Sequence, residues 1–585
     1  MPLEEEPALL VGRAMSNGNG TESASGDTSN CTIASSNGTT PVSYDGAYRP
    51  QIHYSPSQGF MNDPNGLVIS GPAGNRTIHL YYQYNPTGLV AGNQHWGHAT
   101  SSSFSSYAWQ NHLPAISPKN STEGIFSGSA VIDTNNTSGF FNESTAPENR
   151  IIAIYTLNTA EEQNQNIAYS VDGGYTYTKY EGNPVLSDSG KFQTQFRDPK
   201  VFWDTDRSQW VMAVSHAQQY QVGFYTSSDL KTWTEASKFT LGGILGYQYE
   251  CPDLFPVTMV GGPQDGQTTW ILLVSINPGW PPGGSGSQYF IGDWNGTTFE
   301  PRDRAARLAD FGKDWYAAQT WNNVADNKTM IIGWASNWQY ADSAPTGSEG
   351  WRSSMSVPRE VTLRYAALNP LFSDYQLAMT PVNTTEIAKS EVFSKGSSAN
   401  ATSSASNTNS TSAVGEQTIQ LQNAVGAYDI SANFSISADA ATNATASSFA
   451  ELRIYASANG SRTDQYLRVG LVGGSQGGVY IDRRKVGGTW ADDSPFYTDR
   501  FSSYVQPRYS SNDTTTADQL WDLRLIVDRS LVEVFVNEGV QSAAVLTFWD
   551  QGALPDALEV VLGDGSVHID GMRVLALKSG WLEGC

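Results

Sequence analysis

Tyr169-Ser-Val-Asp-Gly-Gly-Tyr-Thr-Tyr177 returns in degenerate form as Tyr225-Thr-Ser-Ser-Asp-Leu-Lys-Thr-Trp233, with a weaker echo over Ala99 to Trp109. Each copy reads as the end of a strand, a polar turn, and an aromatic that opens the next strand. Around them lie short β-rich runs: His79 to Tyr84, Ile151 to Tyr155, Trp210 to Ser215, Trp270 to Ile276 and Met330 to Trp334, with Gly, Pro, Asn and Asp between them. No long amphipathic helical pattern interrupts the stretch from Tyr48 to Tyr365. One β-meander repeated in this way predicts an all-β domain whose sheets stand as propeller blades around a central channel.

Outside that stretch the composition changes. Residues 1–45 are rich in Gly, Ser, Thr and Asn and bury too little to order themselves, which predicts a flexible, glycosylated N-terminal extension. The propeller is expected over 46–365 and a linker over 366–417. The linker includes the Ser/Asn/Thr/Ala tract Ser394 to Ser412, read as a disordered insertion or O-glycosylated loop. Alternating strands such as Leu523 to Val527, Val532 to Val536 and Leu558 to Leu562 predict a second, β-sandwich domain over 418–585.

The 585 residues carry 34 Lys plus Arg against 57 Asp plus Glu, a net charge of 34 − 57 = −23, which excludes a general nucleic-acid binder. With 17 Trp and 28 Tyr the chain has material for a large core, so it is not a disordered acidic protein. Cys31, Cys251 and Cys585 can make neither a disulfide framework nor a four-ligand zinc site. No metal or organic cofactor is expected, and the histidines lack metal-site spacing. No apolar run is long enough to span a bilayer, so no membrane partner is expected.

The N-terminus, with Glu4 to Glu6, lacks the basic and apolar regions of a signal peptide. Seventeen N-x-S/T sequons nonetheless predict a secreted glycoprotein, extracellular or cell-wall associated. The candidates for occupancy are Asn75, Asn120, Asn136, Asn142, Asn295, Asn327, Asn383, Asn433, Asn443, Asn459 and Asn512.

Three acidic clusters carry the chemistry. Phe60-Met-Asn-Asp-Pro-Asn-Gly66 taken alone reads as a turn. Gln195-Phe-Arg-Asp-Pro-Lys200 taken alone reads as a surface ion pair. In Gln248-Tyr-Glu-Cys-Pro-Asp-Leu-Phe255 a Glu sits among Tyr, Cys and Pro, surroundings that favour a protonated carboxyl.

Taken in order, the three clusters resemble glycoside hydrolase family 32, the β-fructofuranosidases. Tyr81-Tyr-Gln-Tyr-Asn-Pro86, Trp96-Gly-His98, Phe126-Ser-Gly-Ser129, Ala335-Ser-Asn-Trp338 and Trp351-Arg-Ser-Ser-Met355 extend the likeness over roughly 48–365, and Val532-Glu-Val-Phe-Val-Asn537 looks like the family's C-terminal sandwich. The runs Asn136 to Asn142, Phe196 to Trp203 and Leu245 to Pro252 look most like fungal and yeast secreted invertases.

The resemblance implies a five-bladed propeller with the active site at the mouth of its funnel, followed by a β-sandwich. It implies Asp63 as nucleophile, Glu250 as general acid/base and Asp198 as transition-state stabiliser, with Asn62, Gln83, Trp96, Phe126, Ser127, Arg197 and Trp338 around the substrate. Core packing between blades is the other reading of Trp96 and Trp338. A retaining glycosidase needs one carboxylate to attack the anomeric carbon and one carboxylic acid to protonate the leaving oxygen, and its oxocarbenium-like transition state rewards hydrogen bonds to neighbouring hydroxyls. On this reading Arg197 holds Asp198, and Glu250 works at an acidic optimum.

The expected partners are sucrose and short fructo-oligosaccharides, with some fructosyl transfer. A homodimer through the sandwich domain is expected as well. An exo-inulinase or levanase and a dedicated fructosyltransferase share every catalytic residue; a non-catalytic sugar-binding protein is the reading from another class. Phe60, where invertases commonly carry Trp, and Asp253, where relatives often carry a smaller or neutral residue, are both expected near the leaving-group side, where they bear on the balance of hydrolysis and transfer.

Overall fold

The computed structural model describes residues 31–35, 38–42, 44–396, 416–437, 448–457, 465–474, 477–511 and 517–581. The N-terminal extension up to residue 30, the Ser/Asn/Thr tract from 397 to 412, and Asn443, Asn459 and Asn512 lie outside them. The described chain is built of strands, joined by short 3-10 turns and one six-residue helix, Gly488–Asp493.

Five antiparallel groups of strands follow one another in sequence. Their first strands are Gly59–Ser70, Gly124–Ile132, Phe196–Asp204, Tyr249–Val260 and Tyr316–Thr320, and each continues outward through successive neighbours. The five first strands touch in a cycle, the fifth packing back on the first, so they form the inner wall of a closed ring. The fourth and fifth groups also share a short parallel pairing, Met259 with Leu363. Inner strand Gly59–Ser70 is buried along its whole length, which explains why its sequence lacks the alternation of a half-exposed strand. Between groups, apolar side chains such as Ile152, Ile154, Val201, Met212 and Val214 interlock. Each such side chain stabilises the ring by about 1.5–3 kcal/mol.

The repeat that announced the fold is the link between third and fourth strands. Ser170–Gly174 and Ser227–Leu230 are closed alike: the Ser hydroxyl donates to the Asp two residues on (Asp172 at 2.7 Å, Asp229 at 3.1 Å) and accepts a backbone N–H. The Asp carboxylates accept further backbone N–H groups, fixing the turn before the next strand.

Every inner strand is bulged near one end. The register slips between Met61 and Pro64, Phe126 and Gly128, Arg197 and Lys200, Glu250 and Asp253, and Tyr316 and Gln319. Pro199 and Pro252 fall inside two of these slips and Pro64 bounds a third, positions where a missing backbone donor is tolerated. The Asn-Asp-Pro-Asn-Gly run is therefore not a turn between strands but the kinked start of one.

The C-terminal half forms two antiparallel sheets. One contains Ala388–Lys395, Val567–Leu577, Ala427–Ile436, Gln519–Asp528, Leu531–Val536 and Gln541–Leu546; the other contains Glu416–Gln420, Pro555–Leu562, Phe449–Ala456, Tyr466–Val472, Gly478–Asp482 and Arg500–Ser503. Their facing side chains, among them Ile430, Phe434, Leu452, Ile454, Leu523 and Leu525, make one apolar cluster. The boundary expected at residue 365 falls inside strand Arg359–Asn369, which pairs on to Phe372–Pro381. The next strand, Ala388–Lys395, already belongs to the C-terminal sheets, so the connector is short.

A buried charge cluster joins the two halves. Asp528 accepts the backbone N–H groups of Gln51, Ile52 and His53 at 2.7, 2.8 and 3.0 Å, and His53 Nδ1 at 2.9 Å. His53 Nε2 lies 3.2 Å from Glu533, which also pairs at 2.8 Å with Arg359; Arg359 reaches Asp310 at 3.0 Å.

The structure also sorts the sequons. Asn120, Asn142, Asn295 and Asn383 are exposed, and in each the side-chain oxygen accepts from the Ser or Thr two residues on, leaving the amide nitrogen without a partner among the described residues. Asn75, Asn327 and Asn433 are also exposed. Asn136 is different: its amide donates to the Phe141 carbonyl at 2.8 Å and accepts the Phe141 N–H at 3.1 Å, so it is committed to the fold. Glycopeptide mapping of secreted protein is expected to find sugar on the first four and none on Asn136; a fully occupied Asn136 overturns this.

Candidate active site

The bulges bring the three carboxyls to one place. Asn62, Asp63, Phe126, Ser127, Arg197, Asp198, Glu250 and Tyr316, drawn from all five inner strands, line a cavity of about 840 Å³ together with Gln83, Gln94, Asn277 and Trp338. That volume lies within the range of about 300–1,000 Å³ usual for small-molecule sites.

Asp63 accepts from Ser127 Oγ at 2.7 Å and from Asn62 Nδ2 at 3.2 Å, which fixes its plane. Burial pushes its carboxyl above the ordinary range, against the pull of the Ser127 hydrogen bond. Asp198 has φ +66°, a left-handed conformation that costs a non-glycine residue energy and here aims the side chain into the ring. It accepts the Cys251 N–H at 2.9 Å. Burial pushes Asp198 up too; the Arg197 charge opposes this, and Glu250 and Asp63 add to it. Cys251, itself at φ +45°, places its thiol 3.5 Å from Asp63 and 3.6 Å from Asp198. Burial and the neighbouring carboxylates push that thiol far up, so it stands between the two as a neutral donor.

Glu250 is not in the charge-free surroundings its sequence neighbours suggest. Arg197 donates to it twice, at 3.1 Å from Nε and 3.0 Å from Nη2, and the Tyr316 hydroxyl donates to its other oxygen. The expectation that Arg197 holds Asp198 is therefore corrected: its fork grips Glu250, while Nη1 is anchored by Gln163 and Gln195.

Of the residues expected around the substrate, Asn62, Gln83, Phe126, Ser127, Arg197 and Trp338 line the cavity. Trp96 does not. It is fully buried between Tyr81 and Tyr155, and its indole N–H holds the Phe126 carbonyl at 3.0 Å, so it supports the wall from behind. Phe60 is likewise buried, beneath Trp338 with ring centroids 6.1 Å apart. Asp253 is turned away from the cavity into a buried pair with Lys200 at 3.3 Å and bonds from Thr320 at 2.6 and 2.9 Å. Neither lines the cavity.

Two contributors carried no usable signal in the sequence. Tyr316 lies in an ordinary β run and is placed on Glu250 only by the fold. Gln94 ties Asn62 and Gln83 together through its amide nitrogen, 3.1 Å from each, from a loop rather than a motif.

The family model for the glycosyl hydrolases family 32 N-terminal domain matches residues 53–381, and that for the family 32 C-terminal region matches 391–573. An extracellular exo-inulinase of Meyerozyma guilliermondii is 39% identical over 533 residues, 91% of this chain and 95% of that protein. An invertase of Wickerhamomyces anomalus is 39% identical over 529 residues, 88% of this chain and 91% of its own. The structure of a fructofuranosidase from Schwanniomyces occidentalis complexed with fructose superposes with a TM-score of 0.80 at 36% identity, covering 92% of this chain and 99% of that one.

Proposed function

The chain belongs to glycoside hydrolase family 32 and is a β-fructofuranosidase, and from that premise we propose that it is a secreted, invertase-type enzyme working from a five-bladed propeller, with a β-sandwich beginning after a connector at 382–387. The observation that supports this most is the convergence of three carboxyls, from three separate sheets, in one cavity.

In the proposed mechanism Asp63 attacks the anomeric carbon of the terminal fructosyl unit while Glu250 gives a proton to the departing oxygen. A covalent fructosyl-enzyme results, and Glu250 then takes a proton from the incoming water. Asp198, held by the Cys251 N–H, accepts hydrogen bonds from ring hydroxyls that strengthen as positive charge develops. Arg197 and Tyr316 keep the Glu250 carboxyl on its line of approach. Trp338, backed by Phe60 and Trp334, offers an apolar ring face to the sugar.

Exo-inulinase action is the second reading, favoured by the likeness to the Meyerozyma enzyme. Free glucose and free fructose, assayed separately on dilute and concentrated sucrose with inulin in parallel, distinguish the two. We expect equal release on dilute sucrose, and glucose in excess when sucrose is concentrated because fructose passes to sugar acceptors. Faster attack on inulin than on sucrose overturns the invertase assignment in favour of the exo-inulinase.

A further inference from the structure

The strands that build the catalytic cavity line a second one at their other ends. Four of the five inner strands contribute to it, through Val131, Phe202, Phe255 and Thr320 among others, and its volume is about 440 Å³. A buried neck separates the two. In the neck, Lys200 pairs with Asp253, and Ser129 donates to the Pro199 carbonyl at 2.8 Å; all three side chains are at most 2% exposed. Asp253 Oδ1, behind Lys200 and Thr320, has no hydrogen-bond partner among the described residues.

This far mouth is aromatic. Trp210 and Trp321 are buried, and their indole N–H groups are spent on Thr137 and on the His79 carbonyl, each at 2.9 Å. Trp203 and Trp270 also line the cavity but are only half-buried, and neither indole N–H has a partner among the described residues. Their rings are held by neighbours, Trp203 edge-on to Trp210 at 4.8 Å and Trp270 tilted on Phe202 at 5.5 Å.

The charges around the cavity are consumed internally. Lys200 pairs with Asp253 and Lys328 with Glu360, and Asp133 accepts from Thr137 and Ser138. An anionic ligand finds no unpaired cation among the described lining residues, and the buried Asp133 is already occupied by neutral donors, whereas fixed ring faces beside indole N–H donors suit a neutral molecule with an apolar C–H face and a hydroxylated edge. On these grounds we propose that the far mouth is a second, non-catalytic sugar-binding site. The sugar has two available sources: a free oligosaccharide, or a glycan carried by this chain at Asn135, an exposed sequon residue on the cavity rim.

Calorimetric titration of the full-length Asp63→Ala protein, with a short fructo-oligosaccharide and separately with the N-glycan core disaccharide, tests this. A second binding site for the fructo-oligosaccharide, lost in Trp203→Ala/Trp270→Ala, identifies a free sugar chain as the ligand. A second site for the disaccharide that emerges only in Asn135→Gln, and is lost when both tryptophans are also replaced, identifies the chain's own glycan. One site per chain in every form, for both probes, overturns the proposal. Because the tryptophan variants could fail to fold, oxidative footprinting of the unsubstituted indoles provides an independent readout. Sugar bound at the far mouth is expected to protect Trp203 and Trp270, and unchanged oxidation of both in glycosylated, deglycosylated and sugar-saturated protein counts against the site equally.

Discussion

Replacing Asp63 with alanine is expected to lower kcat on sucrose by about 10⁴- to 10⁶-fold, the range seen when a covalent nucleophile is removed from an otherwise intact site. The residual walls are unaffected in this variant: Gln83, Arg197 and Trp338 reach the cavity from other strands. Binding of fructose should therefore survive, and so should stability, because burial makes the Asp63 carboxylate a cost to the fold rather than a support. Turnover above about 1% of the original, measured on freshly refolded protein, is incompatible with the assigned role. Glu250→Ala should behave differently. A fructoside with a good leaving group needs little protonation, so its turnover should fall far less than that of sucrose. The raised pKa of Asp63 adds a pH signature. The attacking form is the carboxylate, so the acid limb of kcat/KM should lie above the ordinary Asp value of 3.8.

The second large effect concerns the seam between the two halves. Glu533→Ala leaves His53 and Arg359 buried without their shared partner and strips the Val357 N–H of its 2.7 Å acceptor. Breaking a buried ion network from one side costs about 3–5 kcal/mol, so the melting temperature should drop by several degrees while kcat/KM at low temperature is unchanged. A loss below about 1 kcal/mol would show that the seam does not depend on it.

The same cluster sets a pH window. Burial alone lowers the His53 pKa, but Asp528 and Glu533 outweigh it and push it up to about 9, above the free value of 6.5. The stabilisation is thus fully present below about 6.5 and is lost as pH rises through about 9. Glu533 runs the other way. Burial raises it, but Arg359 and His53 pull it below its ordinary value of 4.5, so its contribution is present above that pH and is lost as pH falls. A stability plateau between the two limits is expected, and His53→Gln should flatten its alkaline side.

The sequence displayed the three carboxyls of the proposed mechanism because each lies in a short contiguous run, and it displayed the strands because the Ser-x-Asp turns repeat. It misled where one signal has two causes. Pro, Asn and Gly in the Asp63 run looked like a turn, yet the same residues suit a bulge inside a strand. Trp96 and Asp253 stand close to cavity residues in the chain, yet both side chains are buried behind the cavity wall. The Arg197–Glu250 pairing joins residues 53 apart, and Tyr316 lies further along still, so only the ring's curvature reveals them. The boundary near 365 was invisible because strand Arg359–Asn369 simply continues past it.

The plugged neck beneath the carboxyls has a consequence for traffic. With Lys200, Asp253 and Ser129 sealed across the channel, the catalytic cavity is a cul-de-sac: nothing that enters by the mouth leaves by the floor. A chain that enters does not pass out on the far side of the ring. On the proposed function, each released fructose must therefore back out by the mouth through which it arrived. Product then shares that mouth with the incoming substrate and competes with it for entry.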